Sequence, residues 1–489
     1  MSTQTAKFVE GSTMRHILVM SGTASIGLMA LFVVDLMDML FISMLGQVEL
    51  AAAVGFAGTL TFFSTSVSIG SSIAMGALVS KALGAKKRQY ARQIAASTLV
   101  VAFVVSVVVT SIMFVNISEL LAAIGATGFA AERAEAYLQI LLPSSPFIAL
   151  AMVAGAGLRA VGDAKRSMWA TLAGGIINAI LDPLFIFGFG WNVEGAAAAS
   201  VVARFTVLVF SMVPLVRIHD LVGRPQFRMV KEHLPTILAI ALPAIITNTA
   251  TPIGNAIVTT NIAQFGENFV AGFAVIGRIM PVAFAVIFAL SGAVGPIIGQ
   301  NYGAGRLDRV KETLYNALIF VTIYCISVSA ILYMAQGLII SSFSLTGDAA
   351  ILVSAFCSFV ALTFVFNGAL FVANASFNNL GKPFYSTSLN LGKATLGTLP
   401  FVYFGAQWFG ALGVIYGQAA GSILFGIIGI IVLRKHIGDL MTDVIVDVDA
   451  IDPAMKCVTM TPFSSTDVVA AEELPVQPFD LASRNQNVN

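Results

Sequence analysis

Between Ala24 and Gly46 the chain reads ASIGLMALFVVDLMDMLFISMLG, more than twenty residues without Lys, Arg, Pro, Asn or Gln. About 20 residues, each rising about 1.5 Å, cross the hydrocarbon core of a bilayer. A stretch this long and this apolar is therefore a membrane-spanning helix. Two carboxylates interrupt it, Asp35 and Asp38. An acid near the middle of a span costs about 2.5–3.5 kcal/mol on insertion scales. Both acids should face protein or water, and Asp35 should have a partner, a cavity and a way to change its protonation.

The rest of the composition agrees. Of 489 residues, 57% are hydrophobic and 10% charged, against about 25% charged in soluble proteins. Soluble, coiled-coil and disordered classes are excluded. The apolar runs are continuous, so they are helices and not barrel strands. The net charge of +1 gives no signal for nucleic acid. Cys325, Cys357 and Cys457 are scattered, and His16, His219, His233 and His436 sit at span ends beside basic residues. Neither set has metal or disulfide spacing. The polar N-terminus MSTQTAKFVEGSTMRH is not a signal peptide.

Polar and Gly-rich breaks predict twelve spans: 17–45, 52–80, 92–116, 133–158, 168–190, 194–216, 234–263, 269–299, 314–338, 348–375, 385–408 and 411–434. Twenty of the 26 Lys and Arg residues fall in the N-terminal segment and the connections of one side. The other side has Arg133 alone, and both termini should therefore be cytoplasmic. The segment SSIAMGALVSKALGAKK (71–87) aligns with LSGAVGPIIGQNYGAGR (290–306), and FIALAMVAGAGLRAVGD (147–163) aligns with FNGALFVANASFNNLGK (366–382). Both matches share one offset of about 219 residues. Six spans per repeat make the halves parallel, as in transporters that hold substrate between two lobes. The expected organisation is an all-α membrane protein: an N-terminal segment 1–16, an N-lobe 17–217, a connection 218–233, a C-lobe 234–435, and a disordered tail 436–489. The acids belong to one lobe. Asp35 falls opposite Asn255, Asp182 opposite Phe401 and Asn178 opposite Gly397.

Span five, AGGIINAILDPLFIFGFG, places Asn178 and Asp182 four apart on one helical face. Pro183 lacks an N–H and clashes with the carbonyl of Ala179, which leaves a kink and a spare acceptor beside Asp182. Carboxylates and freed carbonyls in broken helices suit protons or cations. If Asp35 approaches Asp182, the two would titrate as a unit; Asp38 reads as nearer the outer vestibule. Arg204, Arg278 and Lys393 also fall inside spans and read as structural pairs or as bases snorkelling to an interface.

These features together resemble the multidrug and toxic compound extrusion (MATE) family over residues ~15–435, with the Gly-rich SKALGAKK, LRAVGDAK and GQNYGAGR segments as its marks. Within it the chain is similar to the bacterial DinF-like branch. The resemblance implies an inner-membrane antiporter, not an enzyme, that expels small lipophilic or cationic drugs for H+ or Na+. It implies coupling at Asp35, Asn178 and Asp182, with Tyr137, Ser200, Asp38 and Gly155 in the N-lobe cavity. A Na+ ion would be held by Asp35, Asn178, Asp182 and Ser200, and no cofactor beyond the coupling ion is expected. The expected partners are the drug and the lipid bilayer, with the protein a monomer. Two departures narrow this. Gly155 stands where the family usually has Asn, with Asn374 at the equivalent place in the other half. Ser21 and Gly22 stand where the first helix often has Pro. The alternatives are a lipid-linked oligosaccharide flippase of the same superfamily and an uncoupled channel.

Overall fold

The computed structural model describes residues 6–45 and 48–449. Twelve membrane-spanning helices follow one another. They are α1 Thr13–Ser43, α2 Val48–Gly84, α3 Arg88–Val115, α4 Gly128–Ala160, α5 Ala164–Gly188, α6 Asn192–Ile218 and α7 Phe227–Ala263. Then come α8 (Glu267–Ala283 and Ala285–Gly303), α9 Leu307–Ser342, α10 Gly347–Asn379, α11 (383–409) and α12 (411–449). Each lies where the apolar runs predict it. The ends extend further, because polar caps and charged turns carry helices beyond the hydrocarbon. Thus Ser12 caps α1, its Oγ accepting from Arg15 N at 3.4 Å. The charged turn FRMVKEH starts α7 at Phe227, so the inter-lobe connection is shorter than 218–233. Gly410, at φ 61°, separates α11 from α12.

The tail expectation needs correction. The last helix continues to Asp449, so residues 436–449 are helical. Residues 450–489 lie outside the described residues.

The repeat is written in the backbone. Positive φ occurs at Lys86 and Gly305, Gly125 and Ser344, Gly128 and Gly347, and Gly162 and Gly381, four pairs at one offset. The 3₁₀ turn Leu142–Ser144 that breaks α4 has its counterpart at Ala361–Thr363 in α10. Glycines near the repeat axis let the lobes touch. A Cβ on Gly84 would come within 2.0 Å of the Gln300 carbonyl, and one on Gly303 within 2.0 Å of the Lys81 carbonyl. The two contacts are each other's repeat equivalents, so α2 and α8 meet face to face about the pseudo-two-fold, as identical patches do in a symmetric pair.

This closure lies at the end that carries the basic connections. The N-terminal segment plugs it. Phe8 is fully buried, its N–H donates to Gln300 Oε1 (2.9 Å), and its carbonyl accepts from Arg309 Nη2 (3.1 Å). Gln300 Nε2 donates to the Ala160 carbonyl at 2.7 Å, and Lys7 Nζ to the Gly162 carbonyl at 3.0 Å. The lobes are thus tied together at the basic end.

At the same end Asp163 caps α5. Burial acts to raise its carboxyl pKa, but His219 Nε2 at 2.7 Å and the contacts from Arg166 outweigh it and hold Asp163 well below the usual carboxylate range. A depressed folded pKa stabilises above the unfolded value of about 3.9 and loses its effect as pH falls through the folded one. Asp163→Asn should therefore lower the melting temperature by the same amount from pH 5 to 8, with the deficit shrinking below about pH 4; a deficit that grows on acidification contradicts the linkage.

Gly84→Val should wedge the basic end apart. With Cys457→Ser as background, Ser80→Cys, buried in the closure, should react several-fold faster with an impermeant maleimide once Gly84→Val is added. Unchanged labelling would show that the closure does not depend on this approach.

Candidate functional site

A cavity of about 1040 Å³ separates the lobes. Its lining on α1 runs from Ala24 to Ile42 and on α2 from Ala51 to Ala77. It therefore reaches the end opposite the basic closure, and Arg159, Ala164 and Asn379 line it next to that closure. Phe62, Met152, Met168 and Phe371 supply much of its apolar wall.

The polar centre of the N-lobe wall is built where α1 and α6 pack closely on α5. Gly174 faces α6, where an added Cβ would lie 2.2 Å from Val207 Cγ2; Gly175 faces α1, where it would lie 3.2 Å from Val34 Cγ2. One turn further along α5, Asn178 consequently reaches both neighbours. Its Nδ2 donates to Asp182 Oδ2 (2.6 Å) on its own helix and to Asp38 Oδ1 (3.3 Å) on α1. Its Oδ1 accepts from Ser200 Oγ (3.5 Å) on α6. Tyr137 on α4 stands beside Ser200. Asp182 is fully buried, Asn178 is 5% exposed and Tyr137 9%. Pro183 does not end the helix; the chain runs on into a π turn, Leu184–Gly188, which accommodates the missing N–H.

The expected pairing of Asn178 with Asp182 is made. The approach of Asp35 to Asp182 is not; Asp38 takes that place, within hydrogen-bonding reach of the Asp182 side chain. Three residues along a helix turn the side chain by about 60° and advance it about 4.5 Å. Asp38 therefore points at α5, while Asp35 lines the cavity and is open to it. Gly155, Tyr137 and Ser200 line the same cavity.

Two carboxyl groups accept but do not donate unless protonated. Among the described residues Asp182 Oδ1 is buried with no hydrogen-bond donor. The cluster thus sets two carboxyls around the Asn178 amide nitrogen, with the Ser200 hydroxyl on the amide oxygen. Among the described residues no group of three His, Cys, Asp or Glu side chains suits a transition metal.

The in-span bases have mostly structural posts. Arg204 Nη1 donates to Ser144 Oγ (2.9 Å) and the Leu141 carbonyl (3.2 Å), binding the 3₁₀ break of α4. Lys393 Nζ donates to Asn367 Oδ1, and Arg278 lies against Met39 Sδ. The lone base of the non-basic side, Arg133, pairs with Glu194 at 3.0 Å. Arg159 differs from expectation: it reads in sequence as a flanking loop base, yet it lines the cavity. The chain gives no sequence sign of this beyond its place at the last turn of a span.

The MatE family model matches residues 24–184 and 243–404, two stretches whose first residues are 219 apart. The chain belongs to the MatE family, and it is a multi-pass membrane transporter and not an enzyme. A Shewanella oneidensis protein named FAD transporter is 27% identical over 420 residues, covering 84% of this chain and 92% of its own. The multidrug export protein MepA of Staphylococcus saprophyticus is 23% identical, covering 84% and 91%. A MATE crystal structure in complex with MaL6 superposes with a TM-score of 0.84 at 24% identity, covering 89% of this chain and 99% of that one. An outward-facing multidrug resistance MATE transporter gives 0.83 at 23%, covering 89% and 98%.

Asn178→Ala should leave the buried Asp182 carboxyl without its donor and destabilise the protein by about 1–3 kcal/mol. Thermal unfolding in one detergent, beside Ser200→Ala as a milder loss, checks this; equal melting temperatures for both variants and the parent would contradict the geometry.

Proposed function

We propose that the protein is a secondary antiporter that expels small lipophilic or cationic compounds in exchange for H+ or Na+. The observation that carries this reading is the buried Asp182 oxygen without a donor among the described residues, set behind Asp38 and Asn178 in the wall of a cavity open at one end. In this reading, from the positive-inside rule, the basic closure and both termini face the cytoplasm of a bacterial cell and the cavity opens outward.

Asp35 faces the cavity and meets an incoming ion or a cationic substrate first. The Asp38–Asp182 pair behind it takes up the ion. Asp35 and Asp38 share α1, so neutralising the pair alters how α1 packs on α5, and the wall that held the substrate changes with it. Proton and substrate then compete for one set of carboxylates, which is differential binding to two states. The MepA relatives, named multidrug export proteins, support efflux of drugs. The relative named FAD transporter points to another cargo; an acidic wall favours a cationic one here.

In proteoliposomes loaded with ethidium, an imposed H+ or Na+ gradient should accelerate ethidium movement. Asp38→Asn and Asp35→Asn should each lose that acceleration by about tenfold or more, the scale of one charged contact. Full gradient-driven transport by both variants would refute the coupling role. Ion flux that needs no ethidium would indicate a channel.

A further inference from the structure

The two walls of the cavity differ in chemistry. The acids stand on α1 and α5, whereas the C-lobe wall has amides and aromatic rings. On α8 the cavity stripe is Phe288, Gly292 and Gly295, and on α10 it is Phe371, Asn374 and Asn378. Phe288 and Phe371 meet with ring centroids 5.6 Å apart. Asn374 lies one turn below Phe371, about 4.5 Å along the axis.

Asn374 and Asn378 are 9% and 6% exposed, both line the cavity, and the Oδ1 of each has no partner among the described residues. Buried amides left without partners are costly and uncommon, so the pair at 374 and 378 is a vacancy in the hydrogen-bonding of the wall.

Arg159 adjoins this wall from the last turn of α4. Its Nε lies 3.7 Å from where a Cβ on Gly292 would sit, on the α8 stripe one turn from Phe288. It spends one donor, Nη1 to Ser167 Oγ at 2.9 Å. Among the described residues no carboxylate pairs with it. A guanidinium has five donors in a fork that fits an oxyanion, and it stays charged. Of the acids, Asp38 and Asp182 are bonded through Asn178, and Asp35 stands on α1.

We propose that Arg159, Asn374 and Asn378, beneath the Phe288–Phe371 wall, form a second subsite that takes a planar heteroaromatic ligand bearing an anionic group. The ligand rings stack on the face of one of the two phenyl rings, which lie 48° apart, the two carboxamides meet the donor and acceptor edge of the heterocycle, and Arg159 holds the anion. The subsite does not depend on ion coupling by the N-lobe acids, so its failure would leave that reading intact.

The test uses the full chain in nanodiscs and two fluorescent probes with one ring system, riboflavin 5′-phosphate and riboflavin. The parent should bind the phosphate more tightly. Arg159→Gln should weaken phosphate binding by roughly tenfold or more and riboflavin binding by less than about twofold, because only the anion contact is removed. Asn374→Leu and Asn378→Leu should weaken both probes alike. Tetraphenylphosphonium binding, no weaker in Arg159→Gln than in the parent, serves as the control for fold. If Arg159→Gln does not fold, Phe371→Ala and the two amide variants decide the question through loss of both probes. No phosphate binding by the parent at millimolar concentration, or binding that none of these variants changes, overturns the subsite.

Discussion

A carboxyl group fully buried in a membrane span must be bonded, neutralised or matched by a cation, and Asp182 has only part of this. Asn178 satisfies one oxygen at 2.6 Å and the other has no donor among the described residues. Asp38 brings a second carboxyl to the same place. Much of the N-lobe can be understood as support for this cluster. Gly174 and Gly175 bring α6 and α1 close to α5, Asn178 bridges the two, Ser200 and Tyr137 extend the network, and the π turn after Pro183 keeps the helix going beside it.

The C-lobe repeats the architecture without the acids. The left-handed residues, the 3₁₀ breaks and the reciprocal contacts of Gly84 and Gly303 recur, so the scaffold is symmetric. Its chemistry is not. Asn374 stands where the N-lobe has Gly155, and Phe401 where it has Asp182. The frame is symmetric and closed at one end, with one acidic wall and one amide-lined wall; in the proposed exchange the ion acts on the acidic wall alone.

The frame was legible in the chain because hydrocarbon leaves few options: apolar runs of span length, basic connections on one side and two aligned Gly-rich segments suffice for twelve helices in two parallel lobes. Asn178 and Asp182 were legible for the same reason, as polar residues four apart in such a run. Which of Asp35 and Asp38 meets Asp182 was not. The two differ by about 60° around the helix, and the rotation of α1 is set by Val34 against Gly175, a contact that no local pattern records. Arg159 was hidden by its position, because a base at a span end reads as a flanking charge until the fold turns it inward. The final helix reached Asp449 although its last residues are acidic, so the end of helix did not follow the end of hydrophobicity.

The central claim is that the cluster of Asp38, Asn178 and Asp182 exchanges its ion for substrate. Proton release is its most direct measure. Purified protein in weakly buffered detergent solution, free of Na+, is mixed with tetraphenylphosphonium while a pH indicator follows the bulk. The account predicts that the parent releases protons on binding and that Asp38→Asn binds the cation while releasing far fewer. Equal release from the two proteins would contradict it.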